Sequence, residues 1–206
     1  MKKHALILLF SLIAVSLSAQ EINCPKEGST TKTKYKILNT KKNRTETPAP
    51  SDVDSTISLA SFFEKGNDET RFDETRAATI EGYIYDIKIG GIESCNCREK
   101  DQNLRDVHVE IVIKKTHKSK KQRFIAEITP RFRDAIFAKL GIEKTNKELK
   151  KLLKGKKVKI TGWLLFDEEH KLESYSIDPK DTKGRKNWRA TCWEIHPITN
   201  IEVADD

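Results

Sequence analysis

The sequence predicts a mainly β domain with short helices: three strands, a helical connection, then two more strands. Three observations carry this. Residues 105–114 alternate apolar and polar side chains along nearly their whole length. After Pro130 the apolar spacing changes from period two to a helical period. Beyond Gly155 the apolar, β-branched pattern returns. Strands and helices are separated by these periods because successive strand side chains face opposite ways, while a helix repeats every 3.6 residues.

Each element follows from its own signals. Residues 78–89 are rich in Ile and Tyr, partly alternate, and end at Gly90-Gly91, which reads as a first strand. In the second, Val107, Val109, Ile111 and Ile113 point one way, and Asp106, His108 and Glu110 the other. A basic turn at 118–121 leads to a third strand at 123–129, so the two form a hairpin. Pro130 stops it. Ile136, Phe137 and Leu140 then mark a helix, with Gly141 well placed just past its end. Thr145 and Glu148 are spaced as a capping box for a second helix carrying Leu149, Leu152 and Leu153. Residues 157–166 are the fourth strand. Residues 188–203 are a last strand, or a pair of strands broken at Pro197, after a long polar loop at 167–187.

The start of the chain bears on location. Lys2 and Lys3 precede a short apolar run, which ends in Ser18-Ala19. That order is a signal peptide over residues 1–19, and its apolar core is too short to span a bilayer of ~30 Å. Export to the periplasm or beyond is expected, without stable membrane insertion, where ATP, NAD(P)H and a reducing thiol pool are absent. Residues 20–54, rich in Lys, Thr and Pro, lack apolar periodicity and read as a flexible tail. The folded body is placed at 55–206, with Leu59, Phe62 and Phe63 as a short docking helix.

Cys24, Cys95, Cys97 and Cys192 form an even set, which in an exported chain points to disulfides. A bridge within Cys95-Asn96-Cys97 would be a very tight ring. Cys192 bonded to one of that pair is favoured, with Cys24 facing the other or free.

Strand order and two local runs, 162–167 (Gly-Trp-Leu-Leu-Phe-Asp) and 188–197 (Trp-Arg-Ala-Thr-Cys-Trp-Glu-Ile-His-Pro), give a resemblance over about residues 78–203. The chain resembles exported bacterial OB-fold-like proteins of unassigned activity. The resemblance implies a five-stranded Greek-key barrel with a helical insertion between strands three and four. It also implies a ligand surface across strands two and three, between the loops at 90–104 and 167–187.

Several groups could carry chemistry. Asp106, His108 and Glu110 share a strand face and could hold a divalent metal, although a solvated exterior displays such residues routinely. Cys95 and Cys97 beside His108 have the wrong spacing for a structural zinc site. Cys192, Glu194 and His196 also alternate, but positions four apart on a straight strand are separated by roughly 13 Å, which excludes a direct Cys–His nucleophile pair. No catalytic residue, metal ligand or cofactor is assigned.

Charge is the remaining signal. The chain carries a net +8, and residues 114–159 hold seventeen Lys/Arg against four Asp/Glu. Lys114, Lys115, Lys118, Lys120, Lys121, Arg123, Arg131 and Arg133 are expected to form one basic face. Tyr83, Tyr85 and His108, and Trp188 beside Arg185, Lys186 and Arg189, are the nearby rings. Phosphate binding needs such charges, and single strands also need rings to stack on. The expected function is therefore a non-enzymatic, exported binding domain. It would engage nucleic acid, another polyanion such as an acidic glycan, or a cell-envelope protein, through the hairpin and the two loops. The alternative is a metal-dependent hydrolase or nuclease on the same barrel.

Overall fold

A computed structural model describes residues 23–143, 145–180 and 186–205. The expected leader therefore lies outside the described residues. Five strands, β1 (Ala77–Ile89), β2 (Val107–Val112), β3 (Phe124–Ile128), β4 (Lys157–Phe166) and β5 (Trp193–Val203), close into a barrel in the order β1-β2-β3-β5-β4. All neighbouring pairs are antiparallel except β3 and β5, which run parallel through Ile125 opposite Glu194 and Ala126 opposite Ile195. This is the OB-like barrel expected.

The core is built from the inward positions of all five strands, among them Ile80, Ile84, Val109, Ile111, Phe124, Ala126, Val158, Ile160, Leu164, Ile195 and Ile198. Closure requires strands to bend and cross tightly. At Gly162 a β-carbon would run into the Pro197 carbonyl oxygen, so only glycine allows this approach of β4 to β5. β5 runs unbroken through Pro197, which follows a cis bond from His196, and its pairing with β4 shifts register between Thr161 and Leu164.

Between β3 and β4 lie two helices, here α2 (Pro130–Leu140) and α3 (Asn146–Leu153). Gly141 ends α2 with a left-handed φ of 64°, and the Thr145 side chain accepts from the Glu148 amide at the start of α3. Phe132, Ile136, Phe137, Leu149 and Leu153 join the barrel core. The docking segment is a short 3-10 turn, Leu59–Phe63, whose Phe62 ring packs 4.2 Å from that of Phe124.

The structure corrects the expectation of a flexible tail. Residues 33–42 form helix α1 (Thr33–Lys42), which packs on the barrel. Its attachments are polar and covalent, which is why no apolar period announced them. Cys24 is bonded to Cys97, and Asn43 Nδ2 donates to the carbonyls of Cys95 (2.8 Å) and Lys26 (3.0 Å). Asn39 Nδ2 donates to Glu27 O at 2.9 Å, and Trp163 Nε1 to Glu46 O at 2.7 Å. The cysteine pairing is corrected with it: Cys95 and Cys192 are free, buried thiols. Among the described residues no helix is long and apolar enough to cross a membrane.

Candidate functional site

The β2–β3 connection carries the exposed charge. Lys114, Lys115, Lys118, Lys120 and Lys121 are all exposed. None has a carboxylate partner within 4.0 Å among the described residues. Two clefts flank this connection. One, of about 380 Å³, is lined by Tyr83, Tyr85, Lys115, Lys118 and Lys154. In it the Lys118 ammonium lies 5.8 Å from the centre of the Tyr85 ring, and the Arg123 guanidinium stacks at 4.2 Å. Arg123 also donates to the Tyr85 hydroxyl at 3.0 Å and pairs with Glu110 at 3.4 Å. The other, of about 310 Å³, includes Lys121, Arg71, Lys65 and Tyr175, with Lys121 Nζ 5.0 Å from the Tyr175 ring centre.

Not every expected residue belongs to this surface. Arg133 is buried and donates to the carbonyls of Gln102, Asn103 and Arg105, closing the 90–104 loop onto α2. Arg131 donates to Cys24 O at 2.8 Å and Asn43 Oδ1 at 3.2 Å, holding the N-terminal segment. Arg189 is fully buried against Glu194 (2.8 Å) and the carbonyl of Thr191. Arginine has five donors and forms such multiple structural contacts readily, so sequence position alone overstated the basic face. Arg185 lies outside the described residues.

His108 likewise faces a different environment. Its ring lies beneath Trp188, nearly parallel at 6.0 Å between centres, and its Nε2 is 2.9 Å from Glu127 Oε1. Trp188 is fixed by its own donation to Glu173 Oε2 at 2.8 Å. The outer surface of β2, β3 and β5, expected to be solvated, is instead a buried polar layer. It contains Asp106, Glu110, Glu127, Glu194 and His196, all buried, with Asn96 of the 90–104 loop bonded to Asp106 and the Trp188 ring over His108.

Electrostatics inside this layer are strongly coupled. Burial would lower the pKa of His108, but the attraction of Glu127 outweighs it and raises the value to about 9. His196 is raised to about 9 against the same burial, by Glu127, Glu194 and Asp106. Burial pushes Asp106 up to about 6, with Glu127 and Glu93 acting in the same direction. Glu127, despite burial, is held well below the usual carboxylate range by His108 and His196. Buried charges persist only when paired in this way.

Lys42 of α1 reaches into the same layer, 2.8 Å from Asp167 and 3.0 Å from Glu93. Sequence reasoning missed Lys42, Glu93 and Glu127 as partners. Glu127 had a signal: it interrupts the apolar run of β3, and a hairpin centred on the lysine turn pairs it with His108. Lys42 and Glu93 had none, because their meeting depends on how the N-terminal segment folds back. Compared with known proteins, the chain matches no family model, no curated protein and no solved structure.

Proposed function

We propose that the protein is an exported, non-enzymatic binding module that holds an anionic polymer, nucleic acid or an acidic glycan, at its β2–β3 hairpin. The observation that carries the reading is the placement of Lys115, Lys118 and Lys154 around the Tyr83–Tyr85 cleft. Lys115 and Lys118, which have no carboxylate partner among the described residues, can release condensed counterions when they meet phosphate or sulfate groups, and that release supplies sequence-independent affinity, while Lys154 is already paired with Asp86 at 3.0 Å. Tyrosine rings alongside add a surface against which bases or sugar rings can lie. The barrel holds both on ordered backbone: Tyr83 and Tyr85 on β1, Lys115 and Lys118 on the adjoining connection, and Lys154 at the end of α3.

Export is supported by the apolar leader pattern and by the Cys24–Cys97 disulfide, a bond suited to an oxidising compartment. The hydrolytic alternative is weaker. Asp106 and Glu110 are buried, and His108 lies beneath Trp188, so a polymer substrate does not reach them in this structure. The test is retention on heparin and on immobilised single-stranded DNA across a salt series. Elution that moves with salt, and moves earlier in K115E/K118E, supports the reading. Absence of binding at low salt rejects it.

A further inference from the structure

Asp106, Glu127 and His196 come from three neighbouring parts of the barrel wall. Asp106 directly precedes β2, Glu127 lies on β3 and His196 on β5. One donor atom from each lies within 4.8 Å of the other two. Their relative exposures are 2%, 2% and 0%. Each carries an atom with no hydrogen-bond partner among the described residues: Asp106 Oδ1, Glu127 Oε2 and His196 Nε2. Unpartnered buried polar atoms are costly, and three residues that each carry one and approach one another this closely call for a ligand that satisfies them together.

The surrounding residues orient these donors. His196 Nδ1 lies 3.0 Å from Glu194 Oε1, and Glu194 is itself fixed by Arg189 through its other oxygen at 2.8 Å. Nδ1 is engaged by Glu194 and lies 3.6 Å from Glu127 Oε2, while Nε2 faces Asp106, whose Oδ2 is 3.9 Å away, and gives up its proton to take an ion. A carboxylate behind a histidine is the usual arrangement for a metal-bound imidazole. Asp106 Oδ2 accepts from Asn96 Nδ2 at 2.8 Å, and Glu127 Oε1 faces His108. Cys95 Sγ stands 3.6 Å from Asp106 Oδ2, and Glu93, Cys95 and Asp106 form a second donor group sharing the same aspartate.

We propose that Asp106, Glu127 and His196 form a binding site for one divalent transition-metal ion, and that this ion is structural. Zinc suits the donors best. One imidazole nitrogen and two carboxylate oxygens match the donors that zinc takes in four-coordinate sites. Calcium takes six to eight oxygens, and magnesium keeps several waters; a closed pocket with three donors offers neither. A divalent charge balances the two carboxylates. Closure from solvent marks a structural site, since a catalytic one keeps an open position. The ion would pin β2, β3 and β5 together beneath the N-terminal cover.

The test is elemental analysis of the purified protein, both as isolated without chelator and after refolding with Zn²⁺ followed by desalting. One zinc per chain is expected, with a higher melting temperature than chelator-treated protein. H196Q and E127Q should lose stoichiometric retention, while E194Q, which removes the orienting carboxylate and with it the Arg189 pair, should weaken zinc by about 10–100-fold. Wild-type protein that retains no zinc after refolding with it overturns the proposal. So does retention by H196Q and E127Q at wild-type affinity, which would place the ion elsewhere. Should these variants fail to fold, X-ray absorption of the zinc-loaded wild type decides. One imidazole with oxygen neighbours supports the site; a six-oxygen shell, or two or more sulfurs, refutes it.

Discussion

Lys42 Nζ lies 2.8 Å from Asp167 Oδ2, with both side chains almost wholly buried. This pair joins the helix of the N-terminal segment to the end of β4, and Glu93 completes the contact from the 90–104 loop at 3.0 Å. Burial would lower the pKa of Lys42, but Asp167 and Glu93 keep it raised and the amine charged. Asp167 in turn is held well below the usual carboxylate range by Lys42 and His170, against its own burial. Removing one partner of a buried ion pair strands the other charge, which costs about 3–5 kcal/mol. Lys42→Met is therefore expected to lower unfolding stability by that amount in urea titration. A loss under about 1 kcal/mol would mean that the N-terminal segment contributes little to the folded state.

The Cys24–Cys97 bond spans 73 residues and ties the same segment to the first long loop. Closing a loop of that length restricts the unfolded chain by about 4 kcal/mol in the chain-entropy model. The C24S/C97S double variant should lose roughly 2–5 kcal/mol, read by thermal or urea unfolding under oxidising conditions. Peptide mapping should find this one bridge. Cys95 and Cys192 should react with alkylating agents only after unfolding, because both thiols are buried.

Acid stability should depend on Asp86. Burial would raise its pKa, yet Lys150 at 2.8 Å and Lys154 at 3.0 Å bring it down to about 2. A carboxylate depressed in the folded state stabilises the fold above its unfolded pKa of about 4, and that contribution fades as pH falls through the folded value. Wild type should therefore lose stability between about pH 4 and pH 2 more steeply than D86N, with the two curves converging at the acid end. Parallel curves across that window would show that the two lysines do not act on this group.

Much of the barrel was legible because its elements have separate periods. β2 alternates, α2 follows a proline and ends at Gly141, and α3 is capped by Thr145, so each boundary had a local chemical cause. The N-terminal segment was not legible. Its helix buries Asn39 and Lys42 beside a single apolar residue, Leu38, rather than an apolar stripe, and its position depends on a disulfide whose pairing spacing alone could not select. The lysines of the hairpin turn stayed exposed, as a short polar connection between strands dictates. The arginines did not follow them, because Arg131, Arg133 and Arg189 each meet backbone carbonyls that only the folded loops bring near.

The central claim is that the lysines of the β2–β3 connection bind a polyanion beside Tyr83 and Tyr85. Its most direct test is the affinity for a fluorescent single-stranded oligonucleotide and a fluorescent heparin fragment, measured at several salt concentrations. For at least one of them, log affinity should fall linearly with log salt. With the oligonucleotide, the slope should correspond to about three to five neutralised phosphates, and K115E/K118E should reduce it by about one to two. Binding that is insensitive to salt, or a double variant with unchanged slope and affinity for both, would contradict the claim.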